Sequence, residues 1–367
     1  MNDNFLHKKL DERKAAQAFR TLRLPDGKTD FCSNDYLGII HQGLLEKKMD
    51  NAVPPLPHGS GGSRLLAGNY QRVEQLERSL AVFHAAPAGL LFNSGYDANL
   101  GLLSCVPQRG DTIIYDALSH ASLRDGIRLS FAQSFSFPHN DLVVLESRLQ
   151  TATGNIFVVT ESVFSMDGDK APLEEMVRLC NQYQAHLIVD EAHATGVAGS
   201  MGEGLVQPLG LQQNCFARIH TFGKAVGCHG AVVLGSETLR QYLINFSRPF
   251  IYTTALPEIS VAAIETAYQL FPAMQAERNH LQRLVTLFQQ TPLAYQKLPS
   301  DTPIQVVIIP GNDQVKEVAG RLQSAGLDVR PILYPTVPRG SERLRIVLHA
   351  FNTLQELEKL QQLLSVE

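Results

Sequence analysis

The sequence predicts an α/β protein with a mainly parallel central sheet and a smaller α+β domain at its C-terminal end. Between about residues 69 and 235, short apolar and β-branched runs alternate with stretches of helical periodicity. This alternation is typical of a parallel sheet that helices cover on both faces. After about residue 247 it gives way to a long helical stretch and then to a few strand-like runs separated by helices, which predicts a second, smaller unit.

The first well-marked element is a helix that begins after Asn69, and we expect Asn69 to be its N-cap. Its apolar residues recur at helical spacing: Val73, Leu76, Leu80 and Phe83. Strand-like runs follow at 88–92, 112–115, 156–159, 186–190, 218–220 and 231–234, and helical stretches such as 172–180 separate most of them. Beyond them we expect a helical region over about 257–290, strands at 304–309 and 343–348, and a terminal helix.

Domain boundaries follow from the same change of pattern. We predict an N-terminal segment over 1–36, a large domain over 37–256 and a small C-terminal domain over 257–367.

Composition and charge exclude several classes of protein. No apolar run approaches the roughly 18 residues that cross a bilayer, and the N-terminus has no uninterrupted apolar stretch, so we expect neither a membrane span nor a secretory signal. The net charge of −4 argues against a nucleic-acid binder, which needs a strong positive field. The 5 cysteines are scattered without a C-x-x-C pair, which predicts reduced thiols in a cytoplasmic protein and no metal site.

Polar residues follow four of the predicted strands at the point where each strand ends. They are Asn-Ser-Gly-Tyr at 93–96, Ser-His at 119–120, Asp-Glu-Ala-His at 190–193 and Thr-Phe-Gly-Lys at 221–224. Ligands of open α/β sheets bind beyond the carboxyl ends of the strands. We therefore expect these side chains to meet at one edge of the sheet and to form the functional site there.

Asp190 allows more than one interpretation. An isolated aspartate at a strand end is often a helix N-cap, and Asp-Glu-Ala-His also occurs at the magnesium and nucleotide site of some helicases. A helicase needs a phosphate loop of the form G-x-x-x-x-G-K-[ST], but Gly223-Lys224 is followed by Ala225 and preceded by Arg218 where the first glycine should stand. A dinucleotide-binding G-x-G-x-x-G is also missing, because the glycine-rich stretch at 59–64 ends in arginine.

Lys224 comes just after the next strand, among the small residues Gly223, Ala225 and Gly227. A lone loop lysine is usually a solvated surface charge. Tight apolar surroundings, however, lower the pKa of an ammonium group and make the neutral amine available as a nucleophile. An amine facing the carboxylate of Asp190 suits pyridoxal phosphate, because the lysine can attach covalently and the carboxylate can keep the ring nitrogen protonated.

Other strand-end residues fit the same cofactor. Ser94, Gly95 and Tyr96 stand where a strand turns into a helix, so that backbone N–H groups and the positive helix end can bind a phosphate. His120 opens another helix and can lie flat against the pyridine ring, although a partly buried helix-end histidine is an equally good interpretation of that residue alone. His193 can donate a hydrogen bond to the phenolic oxygen of the ring.

The ordered set of motifs resembles the α-oxoamine synthase family of fold-type I pyridoxal-phosphate enzymes, whose fold is that of aspartate aminotransferase. The motifs are Ser-Asn-Asp-Tyr-Leu-Gly at 33–38, Gly-Ser-Gly-Gly-Ser-Arg at 59–64, Ser-His-Ala-Ser at 119–122, Thr-Glu-Ser-Val-Phe-Ser-Met-Asp-Gly at 160–168, and those at 190–193 and 221–224. The resemblance covers about residues 13–360. The segments 11–20 and 335–352 most resemble the biotin-pathway branch of the family.

The resemblance implies a role for each matching residue around the cofactor ring. Lys224 resembles the lysine that binds the cofactor covalently and shuttles a proton. Asp190 resembles the partner of the ring nitrogen, and His120 the stacking histidine. His193 and Ser165 match the groups around the phenolic oxygen.

Phosphate contacts are implied for Gly95, Tyr96 and Thr221. Thr253 and Thr254 are implied to reach the phosphate of a neighbouring subunit, since the family forms homodimers with active sites at the subunit interface.

Substrate contacts are implied for residues outside these motifs. Arg345 matches the arginine that binds the amino-acid carboxylate, a task suited to a bidentate guanidinium. Asn34 and Arg20 are implied to lie near the substrates, and without the resemblance Arg20 would be interpreted as helix surface. The stretch between Arg20 and Ser33 is shorter than usual in the family, and Ala194 stands where glycine or serine is common.

The implied reaction is a decarboxylative condensation of L-alanine with an acyl thioester of CoA or of a carrier protein. Members that use glycine or serine share the catalytic residues and stay open as alternatives. A nucleotide-dependent ATPase is disfavoured by the missing phosphate loop, and a catalytically silent relative by the intact set of Lys224, Asp190 and His120.

Overall fold

The computed structural model describes residues 3–25, 27–52 and 55–366. Their helices are α1 (Asn4–Ala15), α2 (Leu44–Ala52), α3 (Gln71–Phe83), α4 (Gly95–Cys105), α5 (Ala121–Leu129), α6 (Leu142–Thr151), α7 (Leu173–Gln182), α8 (Glu237–Phe246), α9 (Arg248–Ile251), α10 (Glu258–Leu270), α11 (Gln275–Gln290), α12 (Asn312–Ser324) and α13 (Leu354–Leu364). Their strands are β1 (Thr29–Asp30), β2 (Ala88–Phe92), β3 (Thr112–Asp116), β4 (Gln133–Phe137), β5 (Ile156–Glu161), β6 (His186–Asp190), β7 (Cys215–Thr221), β8 (Ala231–Gly235), β9 (Gln296–Lys297), β10 (Ile304–Ile308), β11 (Leu327–Asp328), β12 (Arg330–Ile332) and β13 (Arg343–Val347).

The chain divides into two compact units. The large unit comprises residues 37–165 and 170–278, and the small unit comprises the described residues of 1–36, 166–169 and 279–366. The predicted large domain ends at residue 256, whereas the large unit extends into α11 as far as Arg278. The boundary lies later in the chain because α10 packs against α2 and α3. In addition, the guanidinium of Arg278 donates hydrogen bonds to the carbonyl oxygens of Phe271 and Ser200.

A seven-stranded sheet forms the centre of the large unit, in the order β2-β8-β7-β6-β5-β3-β4. Only β8 runs antiparallel to its neighbours, so the predicted mainly parallel sheet is confirmed. Successive residues of β3, β5 and β6 contribute alternately to two hydrophobic clusters. Ile113 and Ile188, for example, lie in one cluster, and Ile114 and Leu187 in the other. Because both faces of these strands are buried, their sequences are continuously apolar rather than alternating.

Two details of the predicted helices are wrong. The helix expected after Asn69 begins at Gln71 with Tyr70 at the N-cap, because the Asn69 side chain bonds to Arg64 and Glu74 instead of to the helix backbone. The helical region expected over 257–290 is interrupted by a 3₁₀ turn at Phe271–Ala273, where Pro272 cannot continue an α-helical hydrogen-bond ladder.

The small unit is built around a four-stranded sheet in the order β12-β13-β10-β9, in which every pair is antiparallel. β1 and β11 form a separate parallel pair. The segment 166–169 is fixed within this unit by two contacts. Arg343 forms an ion pair with Asp167, and the carbonyl oxygen of Gly168 accepts hydrogen bonds from the hydroxyls of Ser300 and Thr302.

In the part of the chain that the structure describes, no helix is both long and apolar enough to cross a membrane. The cysteines are free thiols in the structure.

Candidate active site

The carboxyl ends of the parallel strands of the large unit bring the four predicted clusters to one edge of the sheet. β2, β3, β6 and β7 run in the same direction, and each ends within one of these clusters or at most three residues before it. The prediction of a single polar edge is therefore confirmed, and this is the edge at which α/β sheets bind their ligands.

Asp190 is the last residue of β6 and is 5% exposed. One carboxylate oxygen accepts a hydrogen bond from Asn99 Nδ2 at 2.7 Å and the other from the backbone N–H of Ala192 at 2.9 Å. Asn99 lies on α4, and its amide also donates to the hydroxyl of Ser122 on α5 at 2.9 Å. Asp190 thus offers two oriented carboxylate oxygens at the strand end.

His120 is the N-cap of α5. Its Nδ1 accepts a hydrogen bond from the backbone N–H of Ser122 and lies 2.8 Å from the hydroxyl of the same residue. With Nδ1 as acceptor, the proton of the neutral ring is assigned to Nε2. Burial lowers the pKa of His120, while the charge of Asp190 acts in the opposite direction. The imidazole is therefore neutral at neutral pH, which suits stacking on another aromatic ring.

The Lys224 amine lies 2.7 Å from His193 Nε2. Lys224 follows β7, and His193 lies three residues beyond the end of β6, so the adjacent strands β6 and β7 bring the pair together. His193 is 5% exposed. An amine and an imidazole at this distance can exchange a proton directly.

The N-terminus of α4 forms a cradle with the end of β7. Ser94 is the N-cap, and its hydroxyl accepts a hydrogen bond from the backbone N–H of Asp97 at 3.0 Å. A Cβ at Gly95 would lie 3.2 Å from Thr221 Oγ1, so only glycine allows this approach without displacement. The first N–H groups of a helix have no partner within the helix and point at a site for an anion.

The remaining predicted cofactor contacts lie in the same unit. Asn93 Nδ2 donates to the hydroxyl of Thr253 at 3.0 Å and to the carbonyl oxygen of Thr254 at 2.8 Å. The Tyr96 hydroxyl donates a hydrogen bond to the carboxylate of Asp125 on α5. Ser165 is buried.

The predicted substrate-binding residues belong to the small unit. Arg345 on β13 donates to Asn34 Oδ1 at 2.9 Å, and the Tyr36 hydroxyl donates to the same oxygen at 3.2 Å. Arg20 lies beyond the end of α1 rather than on a helix, which corrects its interpretation as helix surface, and it donates to the hydroxyl of Thr336 at 3.3 Å. The structure thus joins Arg345 to Asn34 but not to Arg20.

Glu161 is a site residue to which the sequence assigned no role. It ends β5 directly opposite Asp190 in the parallel register and is 2% exposed. One of its oxygens accepts a hydrogen bond from the backbone N–H of His120 at 2.6 Å. Burial raises the pKa of Glu161 to about 8, and the charge of Asp190 adds to this effect while Lys224 opposes it. Glu161 is therefore protonated at neutral pH.

Comparison with known proteins identifies the family. The aminotransferase class I and II family matches residues 26–364. A protein of Emericella nidulans named 8-amino-7-oxononanoate synthase is 42% identical over 92% of this chain and 88% of its own length. One of the same name from Marinobacter nauticus is 39% identical over 96% and 93%.

Solved structures agree with this assignment. The serine palmitoyltransferase of Sphingomonas wittichii has a TM-score of 0.85 and 28% identity, and the match covers 99% of this chain and 96% of that one. The 8-amino-7-oxononanoate synthase of Francisella tularensis has a TM-score of 0.75 and 29% identity over 93% and 97%. These matches confirm the predicted fold and the resemblance that the motifs carry. The chain belongs to the aminotransferase class I and II family, within the branch of enzymes whose members are named 8-amino-7-oxononanoate synthase.

Proposed function

We propose that this enzyme condenses L-alanine with a pimeloyl thioester, of CoA or of a carrier protein, to give 8-amino-7-oxononanoate, CO2 and the free thiol in biotin biosynthesis. The observation that carries the proposal is the contact of the Lys224 amine with His193 at the same sheet edge as the carboxylate of Asp190. The relatives at about 40% identity, which are named 8-amino-7-oxononanoate synthase, support the proposed product.

The cofactor is pyridoxal phosphate, and the residues present fit it. The cradle of Ser94, Gly95 and Thr221 suits the phosphate, because Gly95 leaves the helix N-terminus accessible where a Cβ would press on Thr221. Asp190 suits the ring nitrogen and Lys224 the aldehyde carbon. When bound, the cofactor supplies an electron-accepting ring that stabilises negative charge on the carbon next to the substrate nitrogen.

Proton transfer falls to Lys224 and its neighbour. The Lys224 amine would take the proton from the α-carbon of alanine and later return one to the product. His193, with Nε2 at 2.7 Å, orients the amine and exchanges a proton with it. Asp190 would keep the ring nitrogen protonated, and the neutral His120 would stack on the ring without adding a positive charge.

The amino-acid carboxylate is assigned to Arg345, whose guanidinium is oriented by Asn34. A planar guanidinium binds a carboxylate through two parallel hydrogen bonds, which fixes the substrate's orientation as well as its position. Arg20 and Asn34 remain proposed substrate neighbours. We also propose a homodimer in which Thr253 and Thr254 approach the partner's phosphate. A cytoplasmic location is proposed on the free cysteines.

A related synthase that uses glycine or serine is the second candidate, because structures of serine palmitoyltransferase superimpose with TM-scores up to 0.87. Sequence identity favours the first candidate, at 42% against 26% and 28% for two of the serine palmitoyltransferases.

A matrix of substrates separates these candidates. Release of free thiol is measured for L-alanine, glycine and L-serine, each with pimeloyl-, acetyl- and palmitoyl-CoA. Alanine with pimeloyl-CoA should give the highest kcat/KM. A clear preference for another pair would transfer the assignment to the corresponding synthase.

Covalent labelling tests the cofactor site independently of turnover. Borohydride treatment of the enzyme with bound cofactor should fix the cofactor on the peptide that contains Lys224. Label on any other lysine would refute the assignment of Lys224.

A further inference from the structure

The contact between Lys224 and His193 joins two turns that follow neighbouring strands of the large unit. His193 lies in the turn 191–195 after β6, and Lys224 lies in the turn after β7. The register of β6 and β7 ends at Asp190 and Ile219, so both side chains lie beyond the last paired residues. Proton transfer depends steeply on the distance between donor and acceptor. The 2.7 Å contact therefore depends on what holds the turn 191–195 against β7.

Thr195 closes the turn 191–195 and connects it to β7. Its backbone N–H and its hydroxyl both donate to the carbonyl oxygen of Glu191, at 2.9 and 2.8 Å. The same hydroxyl oxygen lies 2.8 Å from Nδ1 of His220, a residue of β7. A hydroxyl group has one proton, and here it is directed to Glu191, so the oxygen accepts a hydrogen bond from His220 Nδ1–H. This hydrogen bond fixes the turn against the strand.

The surroundings of His220 give a second reason to place its proton on Nδ1. The ring is fully buried, and among the described residues its Nε2 has no hydrogen-bond partner. A proton on Nε2 would bury a donor without an acceptor, which is costly. Burial lowers the pKa of His220 well below its usual value, and His84 and Arg218 act in the same direction. The ring is therefore neutral and is assigned as the Nδ1–H tautomer.

Neighbouring side chains hold the ring of His220 in place. It packs on the ring of His84, with the centroids 3.9 Å apart and the planes at 32°. His84 Nδ1 lies 3.2 Å from the carbonyl oxygen of Glu203, and its Nε2 lies 3.0 Å from the hydroxyl of Tyr268. Because a carbonyl oxygen can only accept, His84 donates from Nδ1 and accepts from the tyrosine. With its neighbour fixed in this way, the ring of His220 is an oriented donor for Thr195.

We propose that His220 is a positioning residue for proton transfer: through its hydrogen bond to Thr195 it holds the turn 191–195, and with it His193, against the Lys224 amine. This inference rests on the proposed function, in which that amine would take the α-proton of the amino acid. Without the hydrogen bond the turn loses a connection to β7, and the two side chains spend less time at transfer distance. Its removal should slow α-proton transfer in an enzyme that still binds its cofactor.

Exchange of the α-proton of L-alanine in D2O, without any thioester, measures this transfer step by proton NMR on the enzyme with bound cofactor. Thr195→Val removes the hydroxyl at nearly constant shape and should lower the exchange rate by about tenfold or more. Thr195→Ser keeps the hydroxyl and should stay close to the wild type. The matched control is Thr266→Val on α10, which removes another buried hydroxyl that donates to the carbonyl oxygen four residues earlier, at 2.8 Å. It should exchange at the wild-type rate.

Two variants of His220 test the same hydrogen bond from its other side. His220→Asn supplies an amide N–H near the position of Nδ1 and should retain most of the exchange rate. His220→Phe keeps a ring against His84 but has no donor, so it should be about as slow as Thr195→Val. The double variant should be no slower than either, because both changes remove one bond. Cofactor absorbance shows which variants are folded, and the pair of variants at either residue suffices for the comparison.

Normal exchange in a folded Thr195→Val or His220→Phe enzyme would overturn the proposal. So would a Thr195→Ser enzyme as slow as Thr195→Val, or single effects that multiply in the double variant. Failure of the proposed function has a different signature, because the wild type would then exchange the α-proton of none of L-alanine, glycine and L-serine, and this inference would fall with it.

Nitrogen-15 NMR of ring-labelled histidine gives a readout that does not depend on turnover. The signals that are missing from His220→Phe identify His220, and in the wild type they should report the Nδ1–H tautomer at neutral pH. The Nε2–H tautomer would overturn the proposal, because His220 could then not donate to Thr195.

Discussion

Glu161 and Asp190 end adjacent strands and face each other, and this pair makes stability depend on pH in a specific way. The substitution Glu161→Gln keeps the shape of the side chain and a carbonyl oxygen to accept the hydrogen bond from His120, which spans 2.6 Å in the wild type. It removes only the capacity to ionise. Its effect therefore isolates the cost of placing a second negative charge opposite Asp190.

The size of the effect follows from the pKa of Glu161, which burial raises from 4.5 to about 8. Between these pH values the unfolded chain has lost a proton that the folded enzyme retains. The free energy of unfolding of the wild type therefore falls as the pH rises, by about 1.4 kcal/mol per pH unit. The loss is absent below pH 4.5 and complete above about pH 8, where it is on the order of 5 kcal/mol.

Urea unfolding at several pH values between 5 and 9, at constant ionic strength and saturating cofactor, measures this dependence. The stability of Glu161→Gln relative to wild type should rise with pH up to about 8 and then level off. The control Glu174→Gln replaces an exposed glutamate on α7 and should parallel the wild type. A Glu161→Gln curve that also parallels the wild type would show that Glu161 is ionised throughout, and the assignment of its proton would be wrong.

Three further predictions concern other contacts. Gly95→Ala should weaken cofactor binding about tenfold in a fluorescence titration, because its Cβ would lie 3.2 Å from Thr221 Oγ1 and disturb the charge-assisted contacts to the phosphate. The control Gly320→Ala, which has open space around the new Cβ, should bind the cofactor normally. Equal affinities of the two variants would contradict the assignment of the phosphate to the cradle. Thr353→Ala should lower the free energy of unfolding in urea by about 1 kcal/mol, because it removes the capping box of α13. An unchanged free energy of unfolding would refute this role. Burial lowers the pKa of His84 from 6.5 to about 3, so stability should fall as the pH drops below 6.5, and His84→Gln should reduce proton uptake on acid unfolding by about one; unchanged uptake would mean that His84 is already charged.

The fold could be predicted where burial determines the sequence pattern. β3, β5 and β6 are continuously apolar because the sheet is covered on both faces. β4 has no such signal, because it is an edge strand with four of its five side chains exposed. β4 pairs with β3 through its backbone, and this pairing cannot be predicted from the amino-acid composition of the strand.

The site was predictable where it follows a strand end directly, as with Asp190 and Lys224. Asn99 was missed, and Ser122 was noted only within the motif at 119–122 and given no role, because each is a small polar residue inside a helix. Their importance appears only when α4 and α5 bring them to Asp190 and His120. No spacing in the sequence marks this contact, because it depends on how two helices pack over the sheet.

The two carboxyl groups at the strand ends, Asp190 and Glu161, differ in the hydrogen bonds that they accept. Asp190 accepts hydrogen bonds from an amide side chain and a backbone N–H, one on each oxygen, whereas the contact described above for Glu161 is a single backbone N–H. Burial, together with the nearby Asp190, raises the pKa of Glu161, so the carboxyl group with fewer hydrogen-bond donors retains its proton. The neutral Glu161 holds the backbone of His120, and in the proposed function it leaves Asp190 as the carboxylate for the protonated ring nitrogen.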